Sequence, residues 1–171
     1  MEKKHELKVV SIRLVDEPPL FSKIPVRSTQ DAVQVMAKEL QKYDRELFCI
    51  LNLQTNGMVI NMNVVSMGTL NTAVVSPREV FKTAILSNAA SILLLHNHPS
   101  GACSPSKEDM RITERLIECG KLIDIPVVDH VITGRDGLYY SFREHGIVFE
   151  PEDRRKAAEN GMFREGESRK R

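Results

Sequence analysis

The sequence predicts one α/β domain in which helices flank a central mixed sheet. Three observations carry that expectation. Helix-like and strand-like stretches alternate along the chain, Thr55-Asn56-Gly57 joins two strand-like runs by a tight turn, and Ile92-Leu93-Leu94-Leu95 is apolar at every position. A tight hairpin makes its two strands antiparallel, whereas a wholly apolar strand belongs in a sheet covered on both faces. An α/β sandwich therefore fits better than a regular parallel repeat. The 171 residues suit a single domain that needs no disulfide or metal to bury its core.

The elements follow in order. Leu7 to Val15 partly alternates and reads as a strand, ended by Pro18-Pro19. Residues 1–27 are thus expected to form an N-terminal strand and lead-in. Ser28 to Tyr43 reads as a helix, with Ser28 as N-cap, Asp31 three residues on and Val33, Met36 and Leu40 on one face. Glu46 to Gln54 and Met58 to Val65 flank the turn as paired strands. Ser76-Pro77 opens a second helix running to about Asn88. Ser91 to Leu95 is the buried strand, Ser106 to about Ile123 a long helix, and Pro126 to Thr133 and Leu138 to Phe142 two further strands. The main domain is expected over 28–150. Residues 151–171 are charged, with almost no apolar pattern, and are expected to fray.

Composition excludes more than it suggests. The formal net charge is +1, so no strong field draws nucleic acid, a membrane or an acidic partner. DNA association would need a local basic patch. MEKKHELK is followed by no apolar run, and Ile92–Leu95 falls far short of the roughly 20 residues that span a bilayer. Cys49, Cys103 and Cys119 form no CxxC pair and read as free thiols in a reducing cytoplasm, Cys49 and Cys119 as small core residues.

Chemistry concentrates in His96-Asn97-His98-Pro99-Ser100-Gly101-Ala102-Cys103-Ser104-Pro105-Ser106-Lys107-Glu108-Asp109. Histidines at i and i+2 on extended backbone project to one side, and here they leave the end of a buried strand together. Asp109 falls on the inward stripe of the following helix with Ile112, Leu116, Cys119 and Ile123, while Lys107, Arg111, Arg115 and Glu118 take the solvated face. An inward carboxylate is costly unless a cation or donors meet it. A divalent metal between His96, His98 and Asp109 meets it and leaves a fourth position open, as in catalytic zinc sites. The competing account is a capping box, Ser106-x-x-Asp109, which explains both residues without metal. Asn97 and Ser100 read first as turn residues and second as groups that orient ligands or substrate. Cys103 shares the loop but is not expected to ligate. His130 either supports a ligand, faces substrate, or forms a structural pair with Asp129.

HNHPSGACSPSKED matches H-x-H-P-x6-S-x-x-D, the JAMM motif of the MPN/JAB superfamily, at every signature position. The flanking PREVFKTAILSNAASILLLHNHPSG and VVDHVITG resemble the RadC family in particular, and the likeness runs from about Ser28 to Gly146. The resemblance implies a JAB/MPN (cytidine-deaminase-like) sandwich. It implies Zn2+ held by His96, His98 and Asp109, and Ser106 as the hydroxyl that helps hold the activated water or the developing oxyanion. It implies a glutamate near the start of a sheet strand. Glu46 matches that place, as the general base that takes a proton from the zinc-activated water and delivers it to the leaving amine. Glu79 is the reserve, though a helix first turn already accounts for it.

The expected function is a zinc-dependent metallopeptidase or isopeptidase with a peptide or isopeptide substrate. A non-catalytic MPN-like interaction module in DNA repair or mobile-element biology is the alternative, and a metal-dependent nuclease a third. Glu46 discriminates: turned toward the metal cavity it favours the enzyme, turned to solvent the module. RadC proteins also carry an N-terminal helix-hairpin-helix region associated with DNA, and this chain is expected to be a short form without it. Two superficial likenesses fail. HNH nucleases spread those residues along a ββα unit, and a zinc deaminase needs H-x-E and P-C-x-x-C, neither of which occurs.

Overall fold

The computed structural model describes residues 13–17, 29–68 and 75–147. Helix α1 spans Thr29–Leu40, strands β1 and β2 span Leu47–Leu53 and Val59–Met67, and helix α2 spans Pro77–Leu86. Strand β3 (Ser91–Asn97), helix α3 (Lys107–Leu122), strand β4 (Val127–Thr133) and strand β5 (Tyr139–Ser141) follow, with a 3-10 turn at Arg135–Gly137. The five strands form one sheet in the order β2-β1-β3-β4-β5. It is mixed, as expected: β3 and β4 run parallel, joined across α3, and every other neighbour pair is antiparallel.

Side-chain alternation builds three layers. Phe48 and Ile50 of β1, Ile92 and Leu94 of β3 and Ile132 of β4 face α2 and α3, meeting Val80, Phe81, Leu116 and Ile117. Leu47, Cys49, Leu51, Leu93, Leu95 and Val131 take the other face and meet Ala32, Met36 and Leu40 of α1. Strand β3 is central and buried from Ile92 to Asn97, which is why its apolar run shows no alternation. Burying each such leucine or isoleucine contributes roughly 1.5–3 kcal/mol.

Three expectations change. Strand β3 runs two residues beyond Leu95, so His96 and Asn97 lie inside it, paired with β1 and β4. Of the strand expected over Leu7–Val15, only residues 13–15 are described, and they form no strand; the rest lies outside the described residues. Ser76 occupies the N-cap of α2 but makes no side-chain capping bond, leaving Pro77 to set the first turn. The Ser28 cap and the 151–171 tail also fall outside the described residues. Among those described, no helix is long and apolar enough to cross a membrane.

Candidate metal centre

Extended backbone puts His96 and His98 on the α3 side of the sheet, in line with Ile92 and Leu94. His96 is completely buried, its ring stacked on Phe48 at 5.8 Å. Past His98 the chain turns sharply: Gly101 N–H donates to His98 O at 2.9 Å, and Gly101 adopts φ +83. A Cβ there would meet the exposed Arg135 side chain, which would have to swing aside, so it is the left-handed backbone that requires glycine. This turn brings the Ala102 carbonyl to 3.0 Å from His98 Nδ1. A carbonyl only accepts, so that nitrogen carries the proton and Nε2 is left for the cluster. Gly101→Ala is accordingly expected to lower zinc affinity about 10-fold or more by disturbing this outer support, with far-ultraviolet circular dichroism unchanged. A competition titration with a chromogenic chelator checks it.

Ser106 caps α3. Its N–H and Oγ each lie 2.6 Å from Asp109 Oδ2 and both donate to it, while Asp109 N–H returns a bond to Ser106 Oγ at 3.1 Å. The capping box is therefore present, and it also fixes the Asp109 rotamer. Asp109 Oδ1 stands 3.2 Å from His96 Nε2, and Oδ2 stands 3.4 Å from His98 Nε2. The two Nε2 atoms are 3.0 Å apart. Bonds of about 2.0–2.2 Å around a tetrahedral zinc separate the ligand atoms by about 3.3 Å. The observed contacts are of that order, with the two carboxylate oxygens of Asp109 each facing one imidazole. A contact this short between the two Nε2 atoms needs a proton or a cation between them, and two imidazoles beside a carboxylate are a donor set that fits a divalent metal. Among the described residues this is the one group of three or more His, Cys, Asp or Glu whose ligand atoms converge, all within 4.8 Å.

The charges respond to one another. Burial pushes the Asp109 carboxyl up, but hydrogen bonds from His96 and His98, the charge of His96 and the Ser106 bond outweigh it and hold the group far below the usual carboxylate range. The Asp109 hydrogen bond raises His98 against the opposing effect of burial. In the metal-free chain the His98 imidazolium then stabilises the fold fully below its ordinary value of about 6.5, and this is lost as pH rises through its raised folded value. Zinc needs the same nitrogen deprotonated, so its affinity should run the other way. Across about pH 5.5–8.5 the zinc-dependent rise in Tm is expected to grow with pH, as thermal scans with and without zinc will show.

Glu46 directly precedes β1 and is half-buried. Burial raises its pKa, while the charges of His96 and His98 lower it and that of Asp109 raises it, so its carboxyl lies within electrostatic reach of all three. Its place is set by Asn97. That side chain accepts from Leu47 N–H at 2.9 Å and donates to the Arg45 carbonyl at 3.1 Å, gripping the backbone on both sides of Glu46. Asn97 is thus buried in the sheet and not in a turn as the sequence suggested. Glu79 is exposed and pairs with Lys82. Cys103 packs at the edge of the α3-side core and is not part of the cluster.

The sequence left His130 between supporting a ligand, facing substrate and pairing with Asp129, and it did not single out Thr113. His130 Nε2 lies 2.8 Å from His96 Nδ1, and His130 Nδ1 lies 2.6 Å from Thr113 Oγ1. Asp129 turns elsewhere, accepting from Ser141 Oγ at 2.6 Å and from Arg143 N–H at 3.0 Å. It reaches its neighbour only through the His130 main-chain N–H. A histidine inside an apolar strand was the one available signal; Thr113 had none.

A family model described as the RadC-like JAB domain matches residues 26–147, from ahead of α1 to beyond β5 and across every residue of the cluster. The chain belongs to the RadC-like JAB domain family. Relatives agree: a UPF0758 protein of Clostridium acetobutylicum is 43% identical over 128 residues, covering 75% of this chain and 56% of its own length. A UPF0758 protein of Methanosarcina mazei is 42% identical over 134 residues, covering 78% and 56%, and one of Bacillus mycoides is 46% identical over 123 residues, covering 72% and 54%. This RadC-like chain therefore spans little more than half the length of these relatives. Its five-stranded mixed sheet with three α-helices is consistent with the JAB/MPN fold.

Proposed function

We propose that this RadC-like chain is a zinc-dependent hydrolase of peptide or isopeptide bonds. The observation that carries the reading is the pairing of a converging His96–His98–Asp109 triangle with a half-buried carboxyl, Glu46, held within its field. Two imidazoles and a carboxylate suit zinc among the common divalent ions. Zinc bound there would supply Lewis acidity, polarising a carbonyl and acidifying a water.

The chain's own groups do the rest. Glu46 takes a proton from the attacking water and passes it to the leaving amine nitrogen. Burial raises its pKa toward the working pH, which suits a group that must both accept and release that proton. Ser106 Oγ adjoins the cluster and gives its proton to Asp109 Oδ2, so serving a developing oxyanion requires the hydroxyl to rotate. Substrate has a place to lie beside His98, in a depression of about 210 Å³ lined by Tyr43, Pro99, Gly101, Arg135 and Asp136 among others. Arg135 is the one Lys or Arg in that lining, with Asp136 next to it, which does not make the basic groove a nuclease needs.

The test compares the full chain, zinc-loaded and chelated, on peptides and on lysine-linked isopeptides, with products read by mass spectrometry. Cleavage that appears with zinc and disappears on chelation is the expected result. Stoichiometric zinc with no amide cleaved would favour the interaction module.

A further inference from the structure

Of the three residues in the metal cluster, His98 alone also lines the depression of about 210 Å³. Asn97 and Thr133, the last residues of β3 and β4, line it too, so it opens beyond the carboxyl ends of two parallel strands. Open α/β sheets hold their ligands at such a place. The depression is smaller than the roughly 300–1,000 Å³ of clefts that enclose whole small molecules, and it suits one terminal group or side chain. Arg135 and Asp136 bring its permanent charges. Backbone bonds tie Arg135 to His98. Gly101 N–H donates to the His98 carbonyl at 2.9 Å, and Arg135 N–H donates to the Gly101 carbonyl at 3.1 Å. Gly134 lets the two loops touch, since a Cβ there would stand 2.6 Å from the Gly101 carbonyl oxygen. Gln41 Nε2 donates to the Gly134 carbonyl at 2.7 Å and fastens the Arg135 loop to the residue that follows α1. From this base the Arg135 side chain lies across Gly101. Its guanidinium forms no ion pair among the described residues, not even with neighbouring Asp136. The fold itself leaves this cation unused.

We infer that Arg135 is a specificity-determining residue that pairs with a carboxylate on the substrate, beside the amide to be cleaved. The inference rests on the hydrolase reading for its use, and it narrows the substrate class to peptides or isopeptides with a carboxylate next to the scissile bond. A guanidinium presents parallel N–H donors that match the two oxygens of a carboxylate. A C-terminal α-carboxylate and an acidic side chain offer the same chemistry. Arg135 is exposed, so the pair contributes a modest factor, about 3–10-fold in affinity. Asp136 tempers the attraction, so the pairing depends on a carboxylate that the rest of the substrate brings to the depression.

Binding to the metal-free full chain, with chelator dialysed away, is measured first, because it needs neither zinc nor turnover. The probes are acetyl-alanyl-alanine and its C-terminal amide, then acetyl-alanyl-aspartate amide and its asparagine counterpart. Each is titrated against 15N-labelled protein, following the Gly101 and Gly134 amides and the Arg135 Nε–H. At least one acid is expected to bind about 3–10-fold more tightly than its uncharged partner, and which one tells an α-carboxylate from a side chain. Arg135→Gln should erase that preference, Arg135→Lys should keep part of it, and Asp136→Asn should enlarge it. With zinc loaded, Arg135→Gln should raise KM about 3–10-fold for the preferred acid, leaving kcat and the uncharged substrates unchanged. A merely structural Arg135 would lower Tm and weaken all four probes alike in Arg135→Gln, and that result overturns the inference. Equal binding of acids and uncharged partners by the wild type overturns it too, as does a preference that survives Arg135→Gln. An acid preference that Arg135→Gln erases, with no cleavage after zinc loading, upholds the pairing and defeats the hydrolase reading alone. Zinc-dependent cleavage indifferent to carboxylates does the reverse.

Discussion

Glu46→Gln is expected to retain zinc and to lose hydrolysis by about 10²–10⁴-fold, the usual worth of a positioned proton-transfer group. The amide keeps the shape of the acid and its place ahead of β1, because Asn97 holds that place through the Arg45 carbonyl and the Leu47 N–H and not through the Glu46 side chain. Only the capacity to take a proton goes. In the wild type, activity should fall as pH drops through the Glu46 pKa, which burial raises, and that acid limb should vanish from the residual activity of the variant. Glu79→Gln serves as the control, since Glu79 is exposed and paired with Lys82, and should change nothing. Full activity in Glu46→Gln removes Glu46 from the mechanism. Loss of zinc would instead make it a ligand.

The second large effect belongs to the ligands. His98→Ala and Asp109→Ala are each expected to lower zinc affinity more than about 100-fold, beyond what loss of an outer partner costs. Asp109 is ambiguous as alanine, because it also closes the Ser106 capping box as the third residue of α3, and breaking a cap costs about 1 kcal/mol by itself. Asp109→Asn separates the two roles. Its amide oxygen still accepts from the Ser106 N–H, so α3 should keep most of its stability, while the anionic ligand is gone. Plasma emission analysis of metal content in wild type, His98→Ala, Asp109→Ala and Asp109→Asn reads the outcome. Equal zinc in all four defeats the ligand assignment.

Much of this was legible in the residues because two short-range rules govern it. The i, i+2 spacing of His96 and His98 fixes a shared side wherever backbone is extended, and Ser106-x-x-Asp109 fixes a helix start next to them. The buried Ile92–Leu95 run placed β3 in the middle of the sheet. What escaped depends on partners distant in sequence. Ile112 and Cys119 do pack against the core beside Asp109 and Leu116, but Ile123 is exposed, and the buried positions of α3 are Asp109, Thr113, Leu116, Ile117 and Gly120. Hydrophobicity could not show that face, since Asp109 and Thr113 are polar and Gly120 has no side chain. Gly120 is there because a Cβ would come within 2.6 Å of the Ile125 carbonyl, a constraint visible only once the chain has returned. His130 meets His96 across 34 positions and Asn97 meets Leu47 across 50, and no local pattern encodes either encounter. The strand reading of His96 failed at its boundary for a related reason. Pairing with both β1 and β4 carries the extended backbone past the last apolar residue.

The central position of β3 bears on how the molecule assembles. Its antiparallel neighbour is contributed by earlier chain and its parallel neighbour arrives only after α3 has crossed over. Such non-local, parallel pairing is slow to form, because the loop must close before any contact rewards it. A cation at His96, His98 and Asp109 is therefore expected to act after this step and not as the nucleus that zinc provides in zinc fingers. It should enter a scaffold that has already condensed, and refolding rates should be indifferent to zinc while unfolding rates fall in its presence.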